Sequence, residues 1–260
     1  MPRRPRRTRA FRPPCLVRAF RRVLPPCYRG RGMQYHVISG ASRGVGAALV
    51  EQLLTPTASV FGISRTTPDR LVDRARSQGL PLHWLPADLR DPSGADSLID
   101  SIAATVGDRP PEIAALWVAA ATLDPIGPVG TLDSAAVDAA LRLNLAAAIT
   151  LTQRFVAGFA GFGCPLRVVL LSSGASERVM PGLSVYSAAK AGLNAFARSA
   201  QDEAVRSGLG DVAIYSISPG LVDTGMQETL RTRGTDRLPE RDQYRSWRAD
   251  GRLASPAAVA

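Results

Sequence analysis

The stretch Tyr35-His36-Val37-Ile38-Ser39-Gly40-Ala41-Ser42-Arg43-Gly44-Val45-Gly46-Ala47-Ala48-Leu49-Val50 decides the fold. Tyr35 to Ser39 reads as a buried strand and Val45 to Leu54 as a helix, with Gly40, Gly44 and Gly46 in and beside the turn between them. Glycines let backbone approach a pyrophosphate closely, and a helix start supplies unpaired N–H groups and partial positive charge. Standing alone, such a glycine string is equally a tight structural turn. Placed between the first strand and helix of an alternating chain, it points to a dinucleotide site.

The alternation continues outward. Ser59 to Ser64, Leu82 to Leu85, Ala114 to Ala119, Leu166 to Leu171 and Val212 to Ile217 read as strands. Asp69 to Gln78, Ser97 to Val106, Ser134 to Phe159 and Ser184 to Ser207 have helical composition. Strands alternating with helices imply right-handed βαβ units, hence an α/β fold: a single doubly wound, Rossmann-type parallel sheet with helices on both faces. Ligands of such sheets bind at the carboxyl ends of the strands. After Gly220 the alternation stops, and Leu221 to Ala254 is a polar, Arg-rich excursion with one short helical stretch near Asp223 to Thr232. It is either a cover over a site or a solvated loop. Ser255-Pro256 then reads as an N-cap followed by proline at the first helical position, four residues before the chain stops. The domain at 33–260 is therefore expected to lack a final helix and strand.

The net charge of +10 suggests nucleic acid until it is located. Residues 1–32 hold 11 arginines and no acid, so residues 33–260 are close to neutral. Any phosphate attraction belongs to the prefix. With Pro13-Pro14 and Pro25-Pro26 and little apolar material, the prefix is expected to be a disordered extension. It reads as an upstream over-extension with Met33 the working start, as a basic tail for nucleic acid or anionic membrane, or as a targeting segment. Cys15, Cys27 and Cys164 lack C-x-x-C spacing, which fits a reducing, cytoplasmic setting, and His36 and His83 alone offer almost nothing to zinc. The longest apolar run, Ile113 to Ala121, is short of the ~18 residues of a membrane span.

Two details sharpen the site. A carboxylate about 20 residues past the glycines would bind the ribose 2′-hydroxyl of NAD. Here Ser64-Arg65 stands at the end of the second strand and Arg43 lies in the glycine turn, which points to the 2′-phosphate of NADP(H). The second detail is compositional: among 32 basic residues there is one lysine, Lys190, four positions after Tyr186. The i and i+4 positions of a helix share a face, so ammonium and phenol stand side by side. The competing readings are chance and an ordinary surface pair.

Together, the glycine turn, Tyr186-x-x-x-Lys190 and Ser173 thirteen residues before the tyrosine resemble the short-chain dehydrogenase/reductase family over nearly all of residues 34–260. Pro125 to Gly130 and Ser218 to Gln227 look like the branch containing sepiapterin reductases and bacterial benzil reductases. The resemblance implies a carbonyl reductase acting on a small ketone or diketone, in which Tyr186 is the general acid. A free phenol, with a pKa of about 10, exchanges its proton poorly near neutrality, and Lys190 is expected to lower that value. By the same resemblance Lys190 also bonds the nicotinamide ribose, Ser173 holds the substrate oxygen and Asn144 supports a proton relay to the lysine. Gly40, Ser42, Arg43, Gly44, Val45, Gly46, Ser64 and Arg65 would bind the cofactor's phosphates and ribose, Asp88 and Leu89 its adenine, and Pro219, Gly220 and Thr224 its nicotinamide. Family analogy implies a homodimer or tetramer built on the helices bearing Asn144 and Tyr186.

Two departures stand against this. Where the family writes Asn-Asn-Ala-Gly after the fourth strand, the chain has Val118-Ala119-Ala120-Ala121, which removes bracing side chains and puts a methyl beside the cofactor. The expected missing end would expose a sheet edge. The alternative function is accordingly a dinucleotide-binding module without turnover.

Overall fold

The computed structural model describes residues 15–18, 32–107, 110–234 and 236–260, with backbone only at 92–96. Six strands form one parallel sheet: β1 (Gln34–Ser39), β2 (Ala58–Ser64), β3 (Leu82–Pro86), β4 (Ile113–Val118), β5 (Leu166–Leu171) and β6 (Val212–Ile217). Their order is β3-β2-β1-β4-β5-β6. The order reverses between β1 and β4, which pair from Gln34 with Ile113 to Ser39 with Val118. Both strands leave the sheet at the same end and their exits open a crevice.

A parallel sheet covered on both faces needs strands apolar on both sides. Ile113 to Val118 shows the consequence. Ala114, Leu116 and Val118 enter one core cluster, whereas Ile113, Ala115 and Trp117 enter the other. The first cluster lies under α3 (Pro92–Ala103), α5 (Ala147–Phe159) and α6 (Ser184–Arg206), with Phe155 and Phe159 stacked at 4.8 Å. The second lies under α1 (Gly44–Leu53) and α2 (Asp69–Ser77).

The helix expected over Ser134 to Phe159 is present as α4 (Ser134–Leu141) and α5, continuous through a single wide turn, Arg142–Ala146, that carries Asn144. Such bulges often mark functional positions. Helix Ser134–Phe162 is long and apolar enough to cross a membrane, yet its Leu151, Phe155 and Phe159 are buried against the sheet, so it is a core helix. The polar excursion contains two helices rather than one: α7 (Gly225–Thr232) and α8 (Arg241–Ala249). In α8 only Tyr244 is buried, with Trp247 partly so, and two aromatics among arginines and polar residues leave almost no apolar periodicity to read.

At the end of the chain Ser255 caps α9 (Pro256–Val259) by accepting the Ala258 N–H at 3.2 Å. The Ala260 carbonyl accepts the Val17 N–H at 2.6 Å, and Leu16 and Val17 are buried beside it. Those two residues belong to the extension expected to be disordered; most of that extension lies outside the described residues. Among the described residues β6 has no outer neighbour.

The aromatic stack predicts a stability contrast. Phe155→Ala should lower the unfolding free energy in urea by about 3–5 kcal/mol, whereas Val129→Ala, at a side chain 85% exposed, should stay within about 0.5 kcal/mol.

Candidate active site

At the exit of β1, Gly40 has φ +69° and its missing side chain matters: a Cβ there would lie 2.6 Å from the Ala120 nitrogen. A Cβ on Gly46 would lie 2.2 Å from the Gly40 carbonyl oxygen. Only hydrogens fit at both contacts, so the start of α1 is drawn against the strand exit. Helix α1 has no capping side chain at Arg43 and no acid in its first turn. That cradle suits an anionic pyrophosphate.

The alanine run after β4 is held without the family's asparagines. Ala119 N–H donates to Ser39 O at 3.2 Å and Ala120 N–H to Ser39 Oγ at 3.4 Å. One residue beyond the run, Asn144 Nδ2 donates to Thr122 O and its Oδ1 accepts the Thr122 N–H, both at 2.8 Å. Asn144 is buried behind the cleft and braces the backbone that follows the run.

At the far end of the cleft, Arg43 and Arg65 are exposed and without ion-pair partners among the described residues. Asp88 pairs with Arg90, a residue the sequence reading did not single out. Hydrogen bonds and charge from Arg90, with a weaker contribution from Arg65, hold the Asp88 carboxyl down at about 2. Arg90 is thereby neutralised, which leaves Arg43 and Arg65 to meet a phosphate.

The middle of the cleft holds the titratable pair. Ser173 caps a short turn by accepting the Ala175 N–H at 3.2 Å, and its hydroxyl stands close enough to the Tyr186 phenol to favour the ionised form. One turn along α6, Lys190 Nζ donates to Leu171 O at 2.6 Å and lies 5.7 Å from the Tyr186 ring centre. Burial pushes the Lys190 ammonium down to about 8. The expectation that Lys190 pulls the phenol down is corrected here: burial holds Tyr186 above 10, opposed by the Ser173 hydroxyl, while the ammonium is turned onto the Leu171 carbonyl. The phenol therefore keeps its proton near neutrality, as an acid must.

All the site residues read from the sequence line one cleft of about 1860 Å³, except Asn144. This exceeds the roughly 300–1,000 Å³ of a single drug-sized ligand, leaving room for a dinucleotide and a substrate together. Ser42, Val45, Leu89, Pro219 and Gly220 stand along its walls, and Thr224 comes close to Gly44 at the start of α7. Missed by the sequence reading was the apolar end, where Met180, Leu183, Met226, Leu230, Tyr244 and Trp247 line the cleft beside Tyr186.

The depressed lysine has a signed consequence. Between pH 8 and 10 the unfolded chain keeps the lysine proton that the folded chain loses, so this group's contribution to stability rises with pH. Relative to Lys190→Met, the wild type should gain about 2 kcal/mol of unfolding free energy over that window, measured by urea titration at each pH.

A model of the short chain dehydrogenase family matches residues 34–234. Benzil reductase ((S)-benzoin forming) from Bacillus cereus is 28% identical over 228 residues, covering 88% of this chain and 91% of that protein. Its namesake from Bacillus subtilis (strain 168) is 29% identical, covering 88% and 90%. The solved KRED1-Pglu enzyme superposes with a TM-score of 0.73 at 26% identity, covering 87% of this chain and 91% of that one. A structure from Beutenbergia cavernae, assigned as an NAD(P) dependent gluconate 5-dehydrogenase with NADP bound at low occupancy, has a TM-score of 0.73 at 25% identity, covering 87% and 86%. With the sheet order, the glycine cradle and the tyrosine-lysine helix in place, the protein is an oxidoreductase belonging to the short chain dehydrogenase family.

Proposed function

We propose that residues 33–260 form an NADPH-dependent carbonyl reductase that acts on small ketones or diketones. The observation that carries this reading is the buried Tyr186 phenol, beside Ser173 and one helical turn from Lys190, in the same cleft as the glycine cradle. NADPH, when bound, supplies the hydride. The glycine turn from Gly40 to Gly46 would hold its pyrophosphate, Arg43, Ser64 and Arg65 its 2′-phosphate, Asp88 and Leu89 its adenine, and Pro219, Gly220 and Thr224 its nicotinamide. The two unpaired arginines support NADP over NAD, as does the NADP-bound relative. The benzil reductase relatives and the apolar end of the cleft support a diketone flanked by apolar groups.

Ser173 Oγ holds the carbonyl oxygen, and Tyr186 gives that oxygen its proton as the hydride reaches carbon. Charge left on the phenolate is met by Ser173, and Lys190 grips the ribose. Stabilisation that acts on the phenolate as it forms accelerates the step. Asn144 acts from behind, by fixing Thr122 and with it the backbone that borders the cofactor. We place the protein in the cytoplasm, assembled through the faces of α4, α5 and α6.

Purified protein should oxidise NADPH in preference to NADH with aromatic diketones, and Tyr186→Phe should lose about 10²–10⁴-fold in kcat. Undiminished turnover in that variant, or NADPH binding without turnover of any carbonyl, contradicts the proposal.

A further inference from the structure

Among the described residues, the aromatic side chains that line the cleft are Tyr186, Tyr244 and Trp247. Tyr186 is 8% exposed and is engaged in proton transfer under the reading above, and Tyr244, at 1%, is sealed beneath α8. Trp247 is partly exposed, so it is the aromatic ring that the cleft offers to a ligand. It packs against the apolar cluster that contains Tyr186, Leu183 and Leu230. The remaining residues of α8 are arginines, polar residues and one alanine, so no apolar stripe explains an indole at this position. A large apolar ring left partly open to water inside a ligand cleft is suited to contact with the ligand.

The ring is also held in place. Tyr244 meets it edge to face, with ring centres 5.2 Å apart and planes at 89°. The Arg252 guanidinium lies over it at 5.7 Å, and the Arg252 N–H donates to the Trp247 carbonyl at 2.9 Å. Helix α8 is itself tied down: Arg245 Nε donates to the Arg231 carbonyl in the last turn of α7 at 3.0 Å, and Arg248 pairs with Asp223 at 3.1 Å. A ring fixed before the ligand arrives loses little freedom on binding. We infer that Trp247 is a specificity-determining residue: its indole packs against an aryl group on the substrate, so that aryl diketones are preferred to alkyl diketones.

This rests on the reductase reading above and adds the substrate group and the residue that reads it. The aryl ring is recognised and unchanged. At the reacting carbon the C=O π bond is replaced by a C–H bond, from the hydride of NADPH, and an O–H bond, from the Tyr186 proton. The products are a hydroxy ketone and NADP⁺. Paired aromatic rings attract one another beyond the area they bury, whereas a short alkyl group covers less of the indole and gains only burial. Discrimination between apolar groups by an apolar wall is modest, on the order of 10-fold rather than 10⁴-fold.

The test compares kcat/KM for 1-phenyl-1,2-propanedione and 2,3-pentanedione, which differ by phenyl against ethyl, in wild type, Trp247→Leu and Trp247→Phe. The readout is the ratio of the two values within each protein. Intrinsic reactivity of the diones cancels when that ratio is compared between proteins, and so does the fraction of active enzyme, so a variant that folds poorly still reports. Wild type should favour the phenyl dione, Trp247→Leu should shrink the ratio by about five- to tenfold, and Trp247→Phe, which restores an aromatic ring, should keep it within about threefold of wild type. A ratio unchanged in Trp247→Leu overturns the inference and leaves the reductase reading standing, whether or not both diones slow together. A wild-type preference for the alkyl dione overturns it, as does a fall in Trp247→Phe as large as in Trp247→Leu. If wild type oxidises NADPH with neither dione, the reductase reading itself fails and takes this inference with it.

Discussion

The contact between Gly46 and Gly40 is the constraint on which the rest depends. With a Cβ at Gly46 only 2.2 Å from the Gly40 carbonyl oxygen, α1 can seat against the exit of β1 only because hydrogen occupies that position. The seat does two things at once. It buries Leu49, Val50 and Leu53 under the second face of the sheet, and it aims the start of α1 into the crevice between β1 and β4. Packing and the anion cradle therefore share one cause, and neither can be lost alone.

The proton-transfer group stands on the opposite side of the same crevice, on α6. Burying a tyrosine and a lysine together is unfavourable for both charged forms. Burial raises the Tyr186 phenol and lowers the Lys190 ammonium to about 8, so the two ionisations move apart and both groups keep their protons near neutrality. A phenol that holds its proton until a charge partner helps it leave is suited to act as an acid in reduction. The hydrogen bond to the Leu171 carbonyl fixes where the ammonium points, and rigid placement on a helix and a strand end supplies the preorganisation that catalysis requires.

How far this was legible in the sequence depended on whether a residue's role is local. The strands Leu166–Leu171 and Val212–Ile217 were readable to the residue, because each is a short, mostly apolar run of strand-forming residues between turn signals. The glycine turn, Tyr186, Lys190 and Ser173 were readable because their spacing encodes their geometry, and all reach one cleft. Asn144 was readable as a residue but not as a brace: its bonds to Thr122 span 22 positions, and the wide turn that carries it has ordinary helical composition. Helix α8 was hidden because its buried side holds little beyond Tyr244 and Trp247. Arg90 was hidden for a related reason, since a salt-bridge partner is a property of surroundings assembled only in three dimensions.

The central claim is that this crevice brings hydride and the Tyr186 proton to one carbonyl. The most direct measurement is isotope tracing with NADPH deuterated at the transferred position of C4, followed by mass spectrometry and NMR of the alcohol formed. The account predicts one deuterium, on the carbinol carbon, in a single stereochemical configuration. An alcohol without that deuterium, or no alcohol from a protein that binds the cofactor, would contradict it.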